Sequence, residues 1–478
     1  MKNLNELTIE QARAGLDKKE FTSVELTQAC LDRIHDRNEE LNAFITVTEE
    51  LALEEARKAD EMIAKGEQKM LTGIPYSVKD AICTKDVRST ASAKILDNYV
   101  PPFDATVIKN IREQGAVLVG KTNCDAFGHG ASNEHSMYGP VKNPHDTRKV
   151  AGGSSGGAAA SVADHQCLFA IAEDTGGSIR QPAAFCGIYG LRPSYGRNSR
   201  YGIMPMASSL DTVGPMAKTA GDIAILAEIM AGVDERDATT VPEVVPSYKD
   251  EIEKFEIKNL KIGIPKEYFE LEGLDAEVKE AVENKIEELK KQGAEIVPVS
   301  LPYTKYAIPV YYIAVPSEDS SNLGRIDGIR YGVQSDRENL YDTYAHSRAH
   351  GFPEEVKRRI MVGTYALSAG YYDAYYRKAQ KVRTLIIQDF ENVFQNVDVL
   401  ITPTSPFPAF GIGEKKDDVI AMYLADVFVS PGAVAGIPGI SVPIGNTKDG
   451  LPIGLQIMGP RMGESKILQV AERMRISG

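Results

Sequence analysis

The feature that most constrains the fold is a recurring order of amphipathic helix, glycine and short apolar strand. Residues 104–119 show it once: apolar side chains repeat at helical spacing, Gly115 follows, and the next residues are apolar. The same order returns with a helix predicted at 276–292, Gly293 and a strand predicted at 295–299. Glycine often ends a helix, and helices that alternate with short apolar strands are typical of α/β proteins. We therefore predict an α/β fold.

Late apolar segments are expected to join a sheet that earlier segments have begun. They are bounded by proline and glycine and span residues 399–402, 440–444 and 453–458. Because strands need paired neighbours, we expect these segments to complete the sheet of the first half. A polar stretch at 232–258 interrupts the pattern in between. This organisation predicts a core formed by residues 1–240 and 400–478, with residues 241–399 inserted as a helical cap region.

Composition excludes several classes of protein. The chain has 478 residues and a formal net charge of −13 at pH 7, so its average surface repels phosphate and does not suit a stand-alone nucleic-acid binder. No run of about 18 apolar residues is present and the N-terminus is polar, which argues against a membrane span or a signal peptide. The five cysteines are scattered, without metal-ligand spacing. We expect no metal site, no disulfide framework and a cytoplasmic location.

A nucleotide-binding motif is matched by chance. Residues 115–122, GAVLVGKT, fit the P-loop expression G-x-x-x-x-G-K-[ST]. A P-loop presents backbone N–H groups to phosphates from an irregular loop. Residues 116–119 instead have the pattern of an apolar strand that follows a helix. We therefore reject nucleotide binding at this position.

Lys79 is a candidate base. It follows the apolar, strand-like residues 75–78, so its aliphatic stem is expected to be buried. A buried amine without an adjacent partner tends to lose its charge, and the neutral amine is a base. The alternative is a structural ion pair to the neighbouring Asp80, which Lys79 taken alone favours. Both roles remain open from these residues alone.

The block GGSSGG at 152–157 surrounds Ser154 and Ser155 with glycines. Gly/Ser runs are often flexible linkers, but this one leads directly into a small-residue helix predicted at 158–163. Residues 152–156 match the G-x-S-x-G serine elbow of α/β-hydrolases, and we reject that match because polar residues rather than a strand precede the serine. Flanking glycines allow other backbone segments to approach a hydroxyl closely, as a proton relay requires.

A second glycine-rich turn, residues 174–182, follows an apolar strand at 168–172 and precedes a helix. Backbone N–H groups in such a turn form a nest that binds anions, which predicts an oxyanion hole with Ser178 beside it as nucleophile. The amides concerned are those of Thr175, Gly176, Gly177 and Ser178. Phosphate binding by the same nest is the alternative, and the acidic side chains of Glu173 and Asp174 disfavour it.

The chain resembles the amidase signature family in the spacing of Lys79, Ser154 and Ser178 and in the blocks GGSSGGAAASVA and DTGGSIRQPAAFCG. The resemblance extends over nearly the whole chain. It implies a large mixed central β-sheet covered by helices on both faces, with an inserted helical cap region. It also implies a Ser-cisSer-Lys triad, in which Ser178 attacks an amide, Ser154 relays the proton and Lys79 receives it.

Within this family, the segments SSNLGRIDGIRYG and PGISVPIG are similar to those of the glutaminase subunits of tRNA-dependent amidotransferases. The similarity implies that the chain hydrolyses glutamine and supplies ammonia to convert Glu-tRNA(Gln) to Gln-tRNA(Gln); whether Asp-tRNA(Asn) is also used stays open. It implies a heterotrimer with subunits B and C, ATP and Mg²⁺ on a partner subunit, no cofactor in this chain, and tRNA bound through the complex. A stand-alone amidase for small or aliphatic amides and an inactive scaffold are the alternatives.

The resemblance also places the glutamine α-carboxylate and α-amino group near Arg359 and Asp426, with Tyr311 close by. An arginine fork suits a carboxylate, and an aspartate suits an ammonium. Arg358 is adjacent, and the sequence does not decide which of the two arginines faces the pocket. A surface salt bridge is the structural alternative for these charges.

The chain departs from its relatives in residues 123–133, a loop that the resemblance places at the border of the pocket. Relatives usually carry Glu at the position of Ala126 and Met at that of His129. His129 is therefore a candidate to contact glutamine through a hydrogen bond, and the alternative is that it points outward.

Overall fold

The computed structural model of the chain describes residues 3–415 and 419–474. Eleven strands within these ranges form one sheet. The strands are β1 (Phe44–Val47), β2 (Pro75–Lys79), β3 (Val117–Thr122), β4 (Phe169–Asp174), β5 (Tyr189–Arg192), β6 (Thr212–Ala217), β7 (Lys261–Pro265), β8 (Glu295–Val299), β9 (Val399–Pro403), β10 (Gly439–Asn446) and β11 (Pro452–Met458).

Seventeen α-helices lie in the same described ranges, and none of them has the length and apolarity to span a bilayer. The first half contains α1 (Ile9–Asp17), α2 (Ser23–Leu41), α3 (Glu49–Lys65), α4 (Thr106–Glu113), α5 (Gly156–Ala163), α6 (Arg180–Cys186) and α7 (Ala220–Met230). The second half contains α8 (Tyr248–Glu253), α9 (Lys266–Phe269), α10 (Ala276–Lys291), α11 (Ala307–Asn322), α12 (Leu340–Gly351), α13 (Glu354–Leu367), α14 (Tyr376–Val393), α15 (Val419–Leu424), α16 (Ser430–Ala435) and α17 (Glu464–Arg473).

The sheet is mixed. Its strand order is β1-β3-β2-β4-β6-β5-β10-β11-β9-β7-β8. β2 pairs in parallel with β3 and β4, and β7 pairs in parallel with β8 and β9, whereas the remaining pairs are antiparallel. The predicted α/β fold with a large mixed sheet is confirmed.

Helices cover both faces of the sheet, as the alternating side chains of β4 illustrate. Phe169 and Ile171 belong to a cluster that includes apolar residues of α4 and α7. Ala170 and Ala172 point the other way, into a cluster with residues of α2, α3 and α5. Successive side chains of a strand point to opposite faces, so a strand that is apolar at every position must be covered on both sides. The prediction of helices on both faces is confirmed.

The late strands complete the first sheet, as predicted. β10 pairs with β5 of the first half, β11 pairs with β10, and β9 pairs with β11. Residues from opposite ends of the chain therefore share one core.

The segment 241–399, predicted as an inserted helical cap region, also contributes two strands to the sheet. β7 and β8 lie inside it and extend the same sheet beyond β9. β7 and β8 pair in parallel, which requires a crossover connection between them, and α10 provides that connection. The helices of this segment are α8 to α14, of which α11 to α14 lie between β8 and β9 in the chain.

Two parallel neighbours inside the sheet, β2 and β4, position the site. Lys79 is the last residue of β2 and Asp174 is the last residue of β4, so the segments that follow both strands emerge at the same edge. β3 lies on the other side of β2, and every residue of β3 is buried. This placement agrees with our rejection of a P-loop at 115–122, because residues 117–122 form a strand rather than a loop.

Candidate active site

Lys79 is almost completely buried, with 1% of its surface exposed. Its Nζ lies 2.8 Å from Oγ of Ser154, within hydrogen-bond distance. The carboxyl of Glu173 lies 3.6 Å from the same nitrogen. Asp80, the ion-pair partner that the sequence left open, instead accepts hydrogen bonds from Thr90. The acidic neighbour of the amine is therefore Glu173.

The loop that carries Ser154 is held by close backbone approaches. A Cβ atom on Gly153 would collide with the carboxylate of Asp125, so only glycine fits there. The N–H of Gly153 donates to Oε1 of Gln181 at 2.9 Å. The peptide bond between Gly153 and Ser154 is cis, as the family resemblance implies. The glycines thus act as the sequence predicted, because they let neighbouring segments pack against a buried hydroxyl.

The turn that carries Ser178 is anchored by the carboxylate of Asp174. Burial opposes ionisation of this group, but Arg180 and Arg192 outweigh it and hold the pKa of Asp174 well below its usual range. The same carboxylate accepts a hydrogen bond from the N–H of Ile179 at 3.2 Å. These bonds fix both ends of the turn at the start of α6.

The two glycine-rich loops touch each other. The N–H of Ser155 donates to the carbonyl of Ser178 at 3.2 Å. Ser178 is 8% exposed, whereas Ser154 is 1% exposed, so Ser178 is the hydroxyl nearer to solvent. The structure therefore brings the segments of all three predicted triad residues together, and their catalytic roles stay predictions.

The predicted oxyanion hole has available donors. Within the described residues, the amides of Gly176, Gly177 and Ser178 donate no hydrogen bond to protein. Thr175 contributes its hydroxyl to the frame, since Oγ1 donates to Oδ1 of Asp211 at 2.6 Å. Burial raises the pKa of Asp211 to about 6. Unpaired amides at the start of a helix suit an oxyanion, so the geometry is compatible with the predicted role.

A cavity of about 290 Å³ contains both candidate arginines in its wall. Nε of Arg359 donates to Oε1 of Glu355 at 2.7 Å, and its guanidinium lies over the ring of Tyr312, 5.0 Å from the ring centroid. Arg358 pairs with the other carboxylate oxygen of Glu355, but its side chain is 46% exposed against 5% for Arg359. Both arginines line the cavity, and Arg359 is the buried, fixed one.

Tyr311 and Asp426 lie against the glycines of the predicted oxyanion hole. A Cβ atom on Gly176 would come within 2.5 Å of the Tyr311 ring, and one on Gly177 within 3.3 Å of Oδ1 of Asp426. That oxygen is buried without a hydrogen-bond partner among the described residues. Burial raises the pKa of Asp426 well above its usual value. An unpartnered carboxyl beside the nucleophile's turn is placed to bind a cationic group.

His129 lies away from the cavity. It is fully buried, with Nε2 3.0 Å from Oδ2 of Asp319 on α11 and Nδ1 3.1 Å from the carbonyl of Ala126. Its burial excludes an outward orientation, and the cavity wall begins with the next residue, Gly130. The structure therefore brings His129 to Asp319 and does not bring it to the cavity. The loop itself does border the triad, because the N–H of Asp125 donates to the carbonyl of Ser154 at 3.0 Å.

Glu173 and Glu355 were missed as site residues by sequence reasoning. Burial raises the pKa of Glu173 to about 8, against the opposing charge of Lys79. The signal for Glu173 was an acidic residue directly after the apolar run FAIA, in the same strand β4. The signal for Glu355 was its spacing of four residues from Arg359, which places the two side chains on one face of α13. In the described part of the chain, no cluster of side chains could hold a metal ion.

Comparison with known proteins gives consistent matches over nearly the whole chain. The model of the family described as Amidase matches residues 25–468. A protein from Koribacter versatilis, named as the A subunit of glutamyl-tRNA(Gln) amidotransferase, is 52% identical over 98% of both chains. One of the same name from Coxiella burnetii is 50% identical over 98% of this chain and 97% of its own.

The solved structures similar to this chain include an amidotransferase subunit and an amidase. The A subunit of glutamyl-tRNA(Gln) amidotransferase from Thermotoga maritima has a TM-score of 0.82 and 38% identity, covering 98% of this chain and 94% of its own. The peptide amidase of Stenotrophomonas maltophilia has a TM-score of 0.83 and 28% identity, covering 98% and 96%.

Proposed function

This chain belongs to the amidase family, and from that premise we propose that it is the glutamine-hydrolysing A subunit of a glutamyl-tRNA(Gln) amidotransferase. The observation that carries the proposal is identity of about half the residues, over 98% of the chain, to proteins of that name. The peptide amidase has a similar TM-score but only 28% identity. Sequence therefore favours the amidotransferase component over a stand-alone amidase.

The triad geometry supports acyl transfer through a serine ester. Oγ of Ser178 attacks the side-chain carboxamide carbon of glutamine, and its proton passes to Ser154 while the proton of Ser154 passes to Nζ of Lys79. The amides of the oxyanion hole bind the negative oxygen of the tetrahedral intermediate. The proton returns through Ser154 to the leaving nitrogen, so ammonia departs and a γ-glutamyl ester of Ser178 remains. Water then cleaves this ester to glutamate and restores the serine.

The charged side chains at the site support glutamine as the substrate. Arg359 would bind the α-carboxylate with Nη1 and Nη2, because Nε is occupied by Glu355. Asp426 would bind the α-ammonium group, with Tyr311 beside it. Two opposite charges at fixed positions suit an α-amino acid and give no advantage to acetamide or benzamide, which lack both groups.

The remaining steps belong to partners. Ammonia would travel to a partner that uses ATP and Mg²⁺ to activate Glu-tRNA(Gln), within a cytoplasmic heterotrimer that this chain forms with subunits B and C. This chain would need no cofactor of its own. Its net charge of −13 agrees with tRNA being held by the other subunits. Asp-tRNA(Asn) is a second candidate for the same complex.

Co-expression with the candidate subunits B and C tests the proposal. We expect the purified complex to hydrolyse glutamine, with stimulation by Glu-tRNA(Gln) and ATP, and the complex carrying Ser178→Ala to show no hydrolysis. The substrate panel includes acetamide and benzamide. Strong hydrolysis of these amides with none of glutamine would overturn the proposal in favour of a stand-alone amidase.

A further inference from the structure

Lys79 has a second neighbour that the triad does not include. Its Nζ lies between Oγ of Ser154 at 2.8 Å and Oε2 of Glu173 at 3.6 Å. The side chains of Lys79 and Glu173 are both more than nine-tenths buried. The other carboxyl oxygen of Glu173 has no hydrogen-bond partner among the described residues. A buried carboxyl without other polar contacts interacts mainly with the amine that faces it.

Lys79 is the cation that pairs with the carboxyl of Glu173, because the other charged groups nearby contact different partners. The charged and titratable groups that face the pair are Lys121 on β3, Asp211 before β6, Asp80, Asp125, Cys83 and Cys124. Lys121 donates to the carbonyl of Ile82 and to Oγ of Ser89, each at 2.6 Å. Asp211 accepts from Thr175. Of the two buried lysines, Lys79 therefore stands closer to Glu173 in the described structure.

We propose that Glu173 is a positioning residue that sets the proton occupancy of Lys79, and with it the pH at which the triad becomes active. The inference rests on the proposed function, because it assumes that Lys79 takes up the proton relayed from Ser178. Glu173 acts through Lys79 and does not touch the substrate.

The chemistry is a transfer of one proton within the pair. When Glu173 is ionised and Lys79 is an ammonium group, an N–H bond of Lys79 can break as an O–H bond forms on Glu173, which leaves a neutral amine beside a neutral carboxylic acid. No other reactant is needed. In a buried site this uncharged arrangement competes with the ion pair, because charges are poorly solvated there. The pair, rather than either residue alone, then titrates.

Removal of the carboxyl should therefore change a pH profile and not only a rate. Carboxylate beside an amine favours the ammonium form, typically by about 1 to 3 pH units. Burial raises the pKa of Glu173 to about 8, so the carboxylate is present mainly in the upper part of the range in which activity is measured. The variant Glu173→Gln keeps the size of the side chain and cannot ionise. We expect the acidic limb of its pH profile, where activity falls as the pH falls, to lie at lower pH than that of the unmodified enzyme. The displacement should be less than the shift of about 1 to 3 pH units that a fully ionised neighbour gives, because Glu173 is partly protonated on this limb.

The experiment measures two rates from pH 5.5 to 9.5. The first is kcat/KM for glutamine in the complex with subunits B and C. The second is the rate at which phenylmethanesulfonyl fluoride modifies Ser178 in the same complex, which reports the triad without glutamine. Both acidic limbs should move to lower pH in Glu173→Gln, and Glu173→Asp, which restores a carboxyl, should return them toward the original position.

Glu55→Gln is a matched control. Burial raises the pKa of Glu55 as well, and its carboxyl contacts the N–H of Leu118 and Arg112 rather than the triad. This variant should keep both limbs in place. If circular dichroism shows that Glu173→Gln does not fold, Glu173→Thr removes the same carboxyl and is measured in the same way.

The outcomes separate this inference from the proposed function. If Glu173→Gln hydrolyses glutamine and its acidic limb stays in place, the inference about Glu173 is overturned and the proposed function stands. The same holds if activity falls equally at all pH values, which is what a purely structural role of Glu173 predicts. Absence of glutamine hydrolysis, together with a shifted limb for modification of Ser178, overturns the proposed function and supports the inference about Lys79.

Discussion

Nε of Arg359 lies 2.7 Å from Oε1 of Glu355, and both side chains are buried at the wall of the cavity. Burial opposes ionisation of Glu355, but Arg359 outweighs it and lowers the pKa of the carboxyl. The pair holds one edge of the guanidinium in place. Nη1 and Nη2 then form a fixed pair of donors, which is what two-point recognition of a carboxylate needs.

The variant Arg359→Lys should bind glutamine more weakly. Lysine keeps the positive charge but cannot donate to Glu355 and to both carboxylate oxygens in a planar fork. Loss of one charged hydrogen bond costs about 1.5 to 3 kcal/mol, which corresponds to a rise in KM of about 10- to 100-fold. Steady-state kinetics with glutamine measure the change, and we expect a smaller effect on kcat.

Arg358→Lys is the matched control for this prediction. Arg358 lines the same cavity and bonds the same carboxylate, but nearly half of its side chain is exposed. We expect its KM to stay within a few-fold of the original value, since exposed ion pairs contribute about 0 to 1 kcal/mol. Equal increases in both variants would show that the carboxylate of the substrate is not bound by the buried arginine.

Removal of the amine at position 79 should abolish most of the turnover. A positioned general base contributes about 10²- to 10⁴-fold to a rate, so Lys79→Ala should reduce kcat for glutamine by that factor. Lys109→Ala removes an exposed lysine that forms an ion pair with Glu113 and should leave kcat unchanged. Retention of more than one tenth of the turnover by folded Lys79→Ala would exclude Lys79 as the base.

Local pattern was sufficient for individual elements of the fold. The strand predicted at 295–299 is observed with the same bounds, because a helix, a glycine stop and an apolar run each have a local cause. Membership of the sheet has no such local cause. β7 and β8 were assigned to the cap because β7 joins the sheet by pairing with β9, more than 100 positions away in the chain, and β8 joins it through β7.

The same distinction applies to the site. Lys79, Ser154 and Ser178 stand beside glycines and strand ends, which are visible in the sequence. Their partners are not: whether Lys79 faces Asp80 or Glu173 depends on the parallel pairing of β2 with β4, which no short segment encodes. The surroundings of His129 are hidden for the same reason, since its neighbour Asp319 on α11 is 190 residues away in the chain.

Glutamine binding should release a proton from Asp426. Burial raises the pKa of this carboxyl well above its usual value, so the free enzyme holds this proton to higher pH than an exposed aspartate does. A bound α-ammonium group favours the carboxylate and would expel the proton. Isothermal titration calorimetry of glutamine with the Ser178→Ala complex, in two buffers of different ionisation enthalpy, measures the release. Identical enthalpies in the two buffers would contradict the prediction, and Asp426→Asn should remove any difference.

The variant Asp222→Asn should stabilise the fold at alkaline pH. The carboxyl of Asp222 is fully buried; Oδ1 accepts the N–H of Ile9 at 3.1 Å, and Oδ2 has no hydrogen-bond partner among the described residues. Burial raises its pKa to about 7, so between pH 4 and 7 the folded chain keeps a proton that the unfolded chain has lost. The free energy of unfolding then falls by up to about 1.4 kcal/mol per pH unit over this window and stays reduced above it.

Because asparagine cannot ionise, Tm of the variant should exceed that of the unmodified chain at pH 8 and not at pH 4. The control is Asp146→Asn, because the carboxyl of Asp146 is only partly buried and Arg148 lowers its pKa, so this variant should not stabilise the fold at pH 8. Equal pH dependence of Tm in Asp222→Asn and the unmodified chain would rule out this role for Asp222.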